Sequence, residues 1–569
     1  MMHLSMFDYS TSPPRRRVAV AALWIAHRRA SRHLVPHTPA RVAFAPVTGS
    51  NAKNMATTIA SRAVAATTPR APARARTNPR ASSTSRRTRA IADANAEATA
   101  EDARELAAWL SYDKGVDASG LVFKEGARGG VEVTLRGDVD AGARVLAVPQ
   151  DCAVTSVDVD AHPIVSGLAE GRPELVGLAL WLCAERIKGG ASDWAPYVKT
   201  LAANPDAPLF WTEAEDFALL KGSPIASDAM ERSRSAREEY AGIVEVIKGD
   251  PTSFPAEAYE FFTEERFVDA LATVCAKATW LPTASCYALV PLLDVITIAG
   301  SPVPGVSPPS AKDGIARCAA DYDVDSACVV LSAVVKAPAN SRVVQLDPLQ
   351  RNNGELFLNT GRVDQTHPGD YLYMRTEIQP SDRLFSAKKQ VLEGMGFTAE
   401  NQYFPVYEDR MPTQLYSYLR FARVQDPGEM MAVSFEEDKI VSVMNEYEIL
   451  QLLMGDCREL MSEYDTNEED ELNLLKLSDT MRVREIEAAK LRMSEKKLIG
   501  CTMTAVRKRL APIRGIPTKQ GMEDPNQDLL DIFNAIESIP NKPKEMMEDF
   551  KKWARGDYED IPKGGGGCG

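Results

Sequence analysis

The sequence has 569 residues, enough for two or three domains, and its 44% hydrophobic and 25% charged composition is that of a folded protein. The net charge of −13 is unevenly spread: residues 1–92 hold sixteen of the 66 Lys/Arg and one acid, Asp8, so they carry about +15 and the rest about −28. A body that acidic is excluded as an autonomous nucleic-acid binder, because positive charge dominates contact with phosphate.

Residues 1–92 are rich in Arg, Ala, Ser and Thr and almost free of acids, which is the composition of an organelle transit peptide. Met55-Ala-Thr-Thr-Ile-Ala-Ser-Arg reads as a fresh start of a chloroplast presequence, so Met55 is the expected initiator; a basic nucleic-acid-binding arm is the alternative. Val18–Ile25 is too short to span a bilayer. A helix begins at Glu101–Leu110, followed by the glycine-rich Gly126-Ala-Arg128-Gly129-Gly130 and the alternating strand Val131–Leu135. With Arg144–Val148, stopped by Pro149, this reads as an antiparallel hairpin entered through a glycine loop. The apolar face of Glu174–Lys188 predicts a helix stopped at Gly189-Gly190. Trp194, Tyr197, Phe210 and Trp211 follow in Ser192–Glu213 and are expected in the core. Phe267–Lys277 is a further helix, and Tyr287–Ile298 is an apolar segment broken by Pro291. Asp321, Asp323 and Asp325 alternate beside a strand and read as a solvated face rather than a metal site.

Val329–Val335 and Arg342–Leu346 flank a Pro/Asn/Ser turn and predict a hairpin. A short helix, Glu355–Asn359, is closed by Gly361 at its C′ position. From Ile378 to Arg514 the pattern is helical throughout: Asn445–Tyr464 has one buried face, and Leu477–Leu510 is long and charged. Arg507-Lys-Arg509 complements the negative end of that helix or meets a partner. Residues 516–569 form a Pro/Lys/Asp-rich tail with one amphipathic helix near Asp528–Ile539. Nine cysteines without Cys-x-x-Cys spacing read as reduced thiols. Beyond the leader only His162 and His367 remain, so neither a metal centre nor His-dependent nucleophilic chemistry is expected.

Three stretches carry a family resemblance: the strand–turn–strand–Asn353-x-Glu355-Leu356 segment, the Gly126–Pro149 segment, and the helix followed by Trp194-x-x-Tyr197 and Pro208-Leu-Phe-Trp-Thr-Glu213. Together they resemble a SET domain of the plastid Rubisco large-subunit methyltransferase type. The resemblance implies an α+β fold, a β-rich SET domain split by a helical insert and followed by an all-α substrate-binding-like domain. The boundaries expected are a transit region at 1–92, SET at 100–376 with its insert at about 190–270, the helical domain at 377–515 and the tail at 516–569.

It also implies S-adenosylmethionine as cofactor, near the remnants Arg128, Gly129, Gly130, Lys277, Asp294, Thr297 and Ile298. Thr297 and Ile298 replace the family's Asn-His pair, and Lys277 replaces its Arg. The two family tyrosines fall on Asp347 and Thr360, and no tyrosine lies between Ala327 and Thr360. Tyr322, Tyr371 and Tyr373 are the surrogates to weigh. A carboxylate at 347 would hold a lysine ammonium in its charged, non-nucleophilic form. The expectation is therefore a catalytically degenerate SET protein; the alternative is an active S-adenosylmethionine-dependent protein-lysine methyltransferase. Asn353–Gly361, Glu408–Pro412, Met444–Arg458 and Arg509–Lys519 further resemble the SET subunit associated with the plastid-encoded RNA polymerase, the plastid transcriptionally active chromosome type. That likeness implies a chloroplast location and polymerase-associated protein partners.

Overall fold

The structure, a computed structural model, describes residues 98–126, 130–202, 204–254, 261–477 and 480–513. The transit region, Met55, Arg128, Gly129 and the tail lie outside the described residues. Helix α1 (Ala100–Lys114) opens the described chain, with Thr99 and Asp102 forming a reciprocal cap at its first turn. Eleven strands follow: β1 (Leu121–Glu125), β2 (Val131–Leu135), β3 (Arg144–Pro149), β4 (Thr279–Leu281), β5 (Cys286–Ala288), β6 (Thr297–Ala299), β7 (Ile315–Asp323), β8 (Cys328–Ala333), β9 (Arg342–Leu346), β10 (Tyr371–Thr376) and β11 (Gln402–Tyr407). The longer helices after α1 are α2 (Glu174–Lys188), α3 (Ala226–Gly249), α4 (Glu264–Lys277), α5 (Asn353–Thr360), α6 (Phe385–Gly394), α7 (Thr413–Arg423), α8 (Val443–Ser462), α9 (Glu468–Lys476) and α10 (Val483–Ile513).

Seven strands form one sheet in the order β1-β2-β9-β7-β8-β3, with β6 added on β9. Both hairpins expected from the sequence are corrected. β8 folds back on β7 through a tight turn at Asp323–Cys328, which uses one edge of β7. The segment after β8 bridges Val139 through Ala337 and delivers β9 to the other edge of β7, in parallel. β8 and β9 are therefore not partners. β2 pairs with β1, an element the alternation pattern passed over, and beyond the last pair of that ladder the Gly126 amide donates to the Gly130 carbonyl at 2.9 Å. β3 pairs with β8 instead. The core of this unit joins both strand faces to α2 and α4, with Leu178, Leu180, Phe267 and Leu331 among its members.

The C-terminal region is not helical throughout: β10 and β11 form a two-stranded antiparallel ribbon whose inner face, Leu372, Met374, Phe404 and Val406, packs into the α7–α8–α10 core. The α10 helix begins at Val483, later than the apolar pattern suggested, and it crosses back to the first unit. Its first half buries Glu487, Lys490, Arg492, Glu495 and Lys496. Arg492 and Lys496 both bond Glu471 of α9, while Glu495 accepts from Ser223 and Tyr464. Arg482 and Arg484 reach Asp216 of the insert, so charge pairing joins the helical region to the split sheet unit. Arg509, read from sequence as complementing a helix end, instead bonds Glu446 and Asp438 in a network shared with the fully buried Arg420. Among the described residues no helix is long and apolar enough to cross a membrane.

Candidate functional site

β6 and β9 run in parallel, pairing Thr297 with Val344, Ile298 with Gln345 and Ala299 with Leu346. This register places Asp347, directly after β9, against the end of β6, where its amide donates to the Ala299 carbonyl at 2.9 Å. Thr297, Ile298 and Asp347 therefore lie together although about fifty positions separate them in the chain.

Asp347 is 1% exposed, and its carboxylate is fully occupied. Arg351 grips it through two nitrogens, Nε to Oδ2 at 2.9 Å and Nη2 to Oδ1 at 2.8 Å. The Arg351 backbone amide adds a third bond to Oδ2 at 2.8 Å. A fork-on-fork pair of this kind is geometrically specific, and inside a protein it is strongly held. The sequence expectation of a carboxylate poised beside a lysine ammonium is thus replaced by a carboxylate closed on its own neighbour. His367 braces the same loop: its Nδ1 accepts from Gly369, which leaves Nε2 to donate to the Arg351 carbonyl at 2.9 Å. The imidazole ring occupies the space that a Cβ on Gly300 would take, so glycine is required where β6 ends.

Asp294 presents the opposite case. It is 5% exposed, and neither of its oxygens meets hydrogen-bond geometry with the described residues. Burial pushes its carboxyl up to about 7, opposed by the positive field of Lys277 and the nearby Tyr197 hydroxyl. Tyr197 is wholly buried and is held protonated by burial and by the Asp294 charge. Lys277 ends α4, and Thr297 is exposed on its strand, where its hydroxyl accepts from Arg342 at 3.2 Å. Ile298 offers only apolar atoms. Gly130, at φ 69°, closes the β1–β2 turn.

Helix α5 is capped at Asn352 by a reciprocal bond with Glu355 and ends at Gly361 with φ 66°. A Cβ there would lie 2.7 Å from the Ala207 Cα, so close packing and the left-handed turn both demand glycine. The Thr360 hydroxyl turns inward to the Leu356 carbonyl at 2.7 Å and accepts from the Arg362 amide, so it is spent on its own backbone.

The surrogate tyrosines do not converge on Asp347. Tyr322, near the C-terminal end of β7, donates its hydroxyl to Gln150 at 2.7 Å. Tyr371 and Tyr373 stand on β10, with Tyr371 facing Glu355. The tyrosine that interacts with the Asp347–Arg351 pair is Tyr287 on β5, whose phenol burial holds protonated while the Arg351 charge opposes it. Its backbone amide donates to Glu174, a carboxyl that burial raises to about 7. Sequence reading missed Arg351, Tyr287 and Glu174. The one available signal was the spacing of an arginine four positions after the aspartate.

The side chains present do not reproduce the way the resemblance would hold S-adenosylmethionine. Thr297 and Ile298 bring neither an amide nor an imidazole, Lys277 brings a point charge in place of a guanidinium fork, and the buried polar groups outside hydrogen-bond geometry there include the Asp294 carboxylate, the Tyr197 hydroxyl and Gln345 Oε1.

Comparison with known proteins gives this arrangement its setting. The family model for the Rubisco LSMT substrate-binding domain matches residues 379–499. The chain is 26% identical over 415 residues to a chloroplastic [fructose-bisphosphate aldolase]-lysine N-methyltransferase of Arabidopsis thaliana, covering 70% of this chain and 82% of that one. It is 25% identical over 341 residues to the actin-histidine N-methyltransferase of Danio rerio, 57% of this chain, and spans about half (54%) of that relative's length. Among solved structures, the SET domain of LSMT bound to lysine and AdoHcy superposes with a TM-score of 0.56 at 20% identity, over 79% of this chain and 98% of that one. Rubisco LSMT bound to AdoMet superposes with a TM-score of 0.54 at 18% identity, over 79% and 99%. The fold is thus a SET-like β domain followed by a helical Rubisco LSMT substrate-binding domain.

Proposed function

We propose that this chain is a chloroplast SET-fold protein that has lost methyl transfer and serves as a protein-interaction subunit of a plastid transcription assembly, the plastid-encoded RNA polymerase. The observation that carries the loss of catalysis is the closed Asp347–Arg351 pair in the place of the family's catalytic tyrosine. Methyl transfer depends on alignment of sulfonium and amine and on oxygens aimed at the transferring group. A carboxylate bonded by Arg351 twice at Oδ2 and once at Oδ1 has no such role, and Thr360 has turned its hydroxyl to its own helix. The location rests on the Arg-rich, acid-poor leader and on the chloroplastic relative. The assembly rests on the resemblance of Asn353–Gly361, Met444–Arg458 and Arg509–Lys519.

A second reading is an active protein methyltransferase with rearranged contacts. It is favoured by Tyr287, a phenol that interacts with the Asp347–Arg351 pair, and by relatives that methylate lysine or histidine. Calorimetric titration of residues 93–569 with S-adenosylmethionine separates the two. The degenerate reading expects no saturable heat at millimolar cofactor. A saturable isotherm that Tyr287→Phe leaves intact but that supports methylation only with Tyr287 present would establish the second reading.

A further inference from the structure

The β10–β11 ribbon has two faces of opposite character. Its inner face is buried in the helical core, which is all the packing that a two-stranded ribbon needs to be held in place. Alternation then predicts a polar outer face. Instead the register sets Tyr371 opposite Tyr407, Tyr373 opposite Pro405 and Arg375 opposite Tyr403. Four phenols make one continuous ladder: ring centroids are 5.1 Å apart for Tyr371–Tyr373, 5.6 Å for Tyr371–Tyr407 and 6.2 Å for Tyr373–Tyr403, all edge to face. Tyr373 is 45% exposed and Tyr403 50%. Leaving contiguous aromatic area in water marks a recognition surface. The ladder continues into a cleft of about 630 Å³ where Tyr407 is joined by Met411, Tyr416, Thr504 and Lys508.

Charge selects the occupant. Arg375 is paired with Glu377 at 2.8 Å, Lys497 with Glu408 at 2.7 Å and Arg410 with Asp409 at 2.7 Å. Arg509, which also lines the cleft, is held by Asp438 and Glu446, so of the five bases here only Lys508 lacks an acid partner among the described residues, too little for a phosphate chain, whose stacking platforms come with a cationic groove. The acids are likewise committed, so a cationic peptide gains little. What the face offers is aromatic area and phenolic donors: the Tyr403 and Tyr407 hydroxyls make no hydrogen bond with the described residues. The complement is neutral, apolar and rich in bare carbonyls. A polyproline II segment has these properties, because its pyrrolidine rings stack on aromatic grooves and its carbonyls have no partners within the segment.

We propose that the Tyr371–Tyr373–Tyr403–Tyr407 face is a docking surface for a proline-rich segment of a partner protein. The ribbon packs on the helical region, so the proposal stands whether or not the SET site transfers methyl groups.

The test is fluorescence anisotropy of the full chain with labelled decaproline, beside a Gly-Ser peptide of equal length and decauridine. Decaproline is expected to bind about tenfold or more tighter than Gly-Ser. Tyr373→Ala with Tyr403→Ala is expected to remove about tenfold of that affinity, as loss of anchoring aromatics does. Tyr373→Phe with Tyr403→Phe keeps the rings and the fold, and is expected to bind more weakly than wild type but better than the alanine pair. Decaproline binding no tighter than Gly-Ser, or unchanged by both pairs of substitutions, overturns the proposal. So does tighter, salt-sensitive binding of decauridine, which would make the face a nucleic-acid platform.

Discussion

Two buried aspartates flank the β6–β9 pairing and have opposite fates. Asp347 sits just after β9 with its carboxylate bonded three times by Arg351. Asp294 sits just before β6 with neither oxygen bonded, and burial raises its carboxyl to about 7. Both are buried, yet one is sealed and the other is kept at a cost. The sealed one has become part of the framework, since a buried ion pair is costly to break even where it adds little net stability. The unbonded one faces the Lys277 charge and the Tyr197 hydroxyl from within the core.

The largest effect expected is at the sealed pair. Arg351→Ala strands a carboxylate in the interior and is predicted to cost about 3–5 kcal/mol in urea unfolding. A cost no larger than that of a surface ion pair would mean that the two side chains are not closed on each other. At Asp294 the opposite sign is expected. Its carboxyl is raised from the ordinary 3.8 to about 7, so the folded chain holds a proton that the unfolded chain releases. Stability is therefore lost as pH climbs from about 4 to about 7 and is level above that. Asp294→Asn should remove its share of this slope, leaving that of Glu174 and Glu495, whose carboxyls burial also raises to about 7, and stabilise the chain at pH 8 by on the order of 2–4 kcal/mol. Melting curves across that pH range that coincide for the two proteins would show that Asp294 is solvated or bonded after all. Replacing the whole pair, Asp347→Leu with Arg351→Met, should recover most of the single-variant loss and come within about 1 kcal/mol of wild type. Smallest is Thr297→Asn with Ile298→His at the strand edge, within about 0.5 kcal/mol. That double variant should still transfer no methyl group, because Asp347 remains closed; turnover in it would put the defect at β6 alone.

The helices were legible because their signals are local. The Glu174–Lys188 apolar face with its double-glycine stop, and the Asn-x-Glu-Leu helix with Gly361 behind it, both appear where spacing and capping place them. Strand pairing was not legible. Val329–Val335 and Arg342–Leu346 look like a hairpin because a turn lies between them, but β7, earlier in the chain, accepts both strands on opposite edges. Nothing within either strand encodes that competition. β11 was missed inside a helical pattern and β10 just ahead of it, because their outward residues are tyrosines, which blur the alternation that marks a half-buried strand. At the site, the loss of tyrosine at 347 and 360 could be read directly. Which group then claims Asp347 could not, since Arg351 is brought round by an irregular loop that His367 and Gly300 hold in place. Asp294 looked like a kept family residue, and only the structure shows it buried with neither oxygen in hydrogen-bond geometry with the described residues.

Closure of Asp347 on Arg351 is proposed to have ended catalysis. It is tested most directly by incubating the wild-type chain with S-adenosylmethionine carrying a tritiated methyl group and stromal protein. No label in protein above a heat-killed control is expected. Label above that control, lost on Tyr287→Phe, would contradict it.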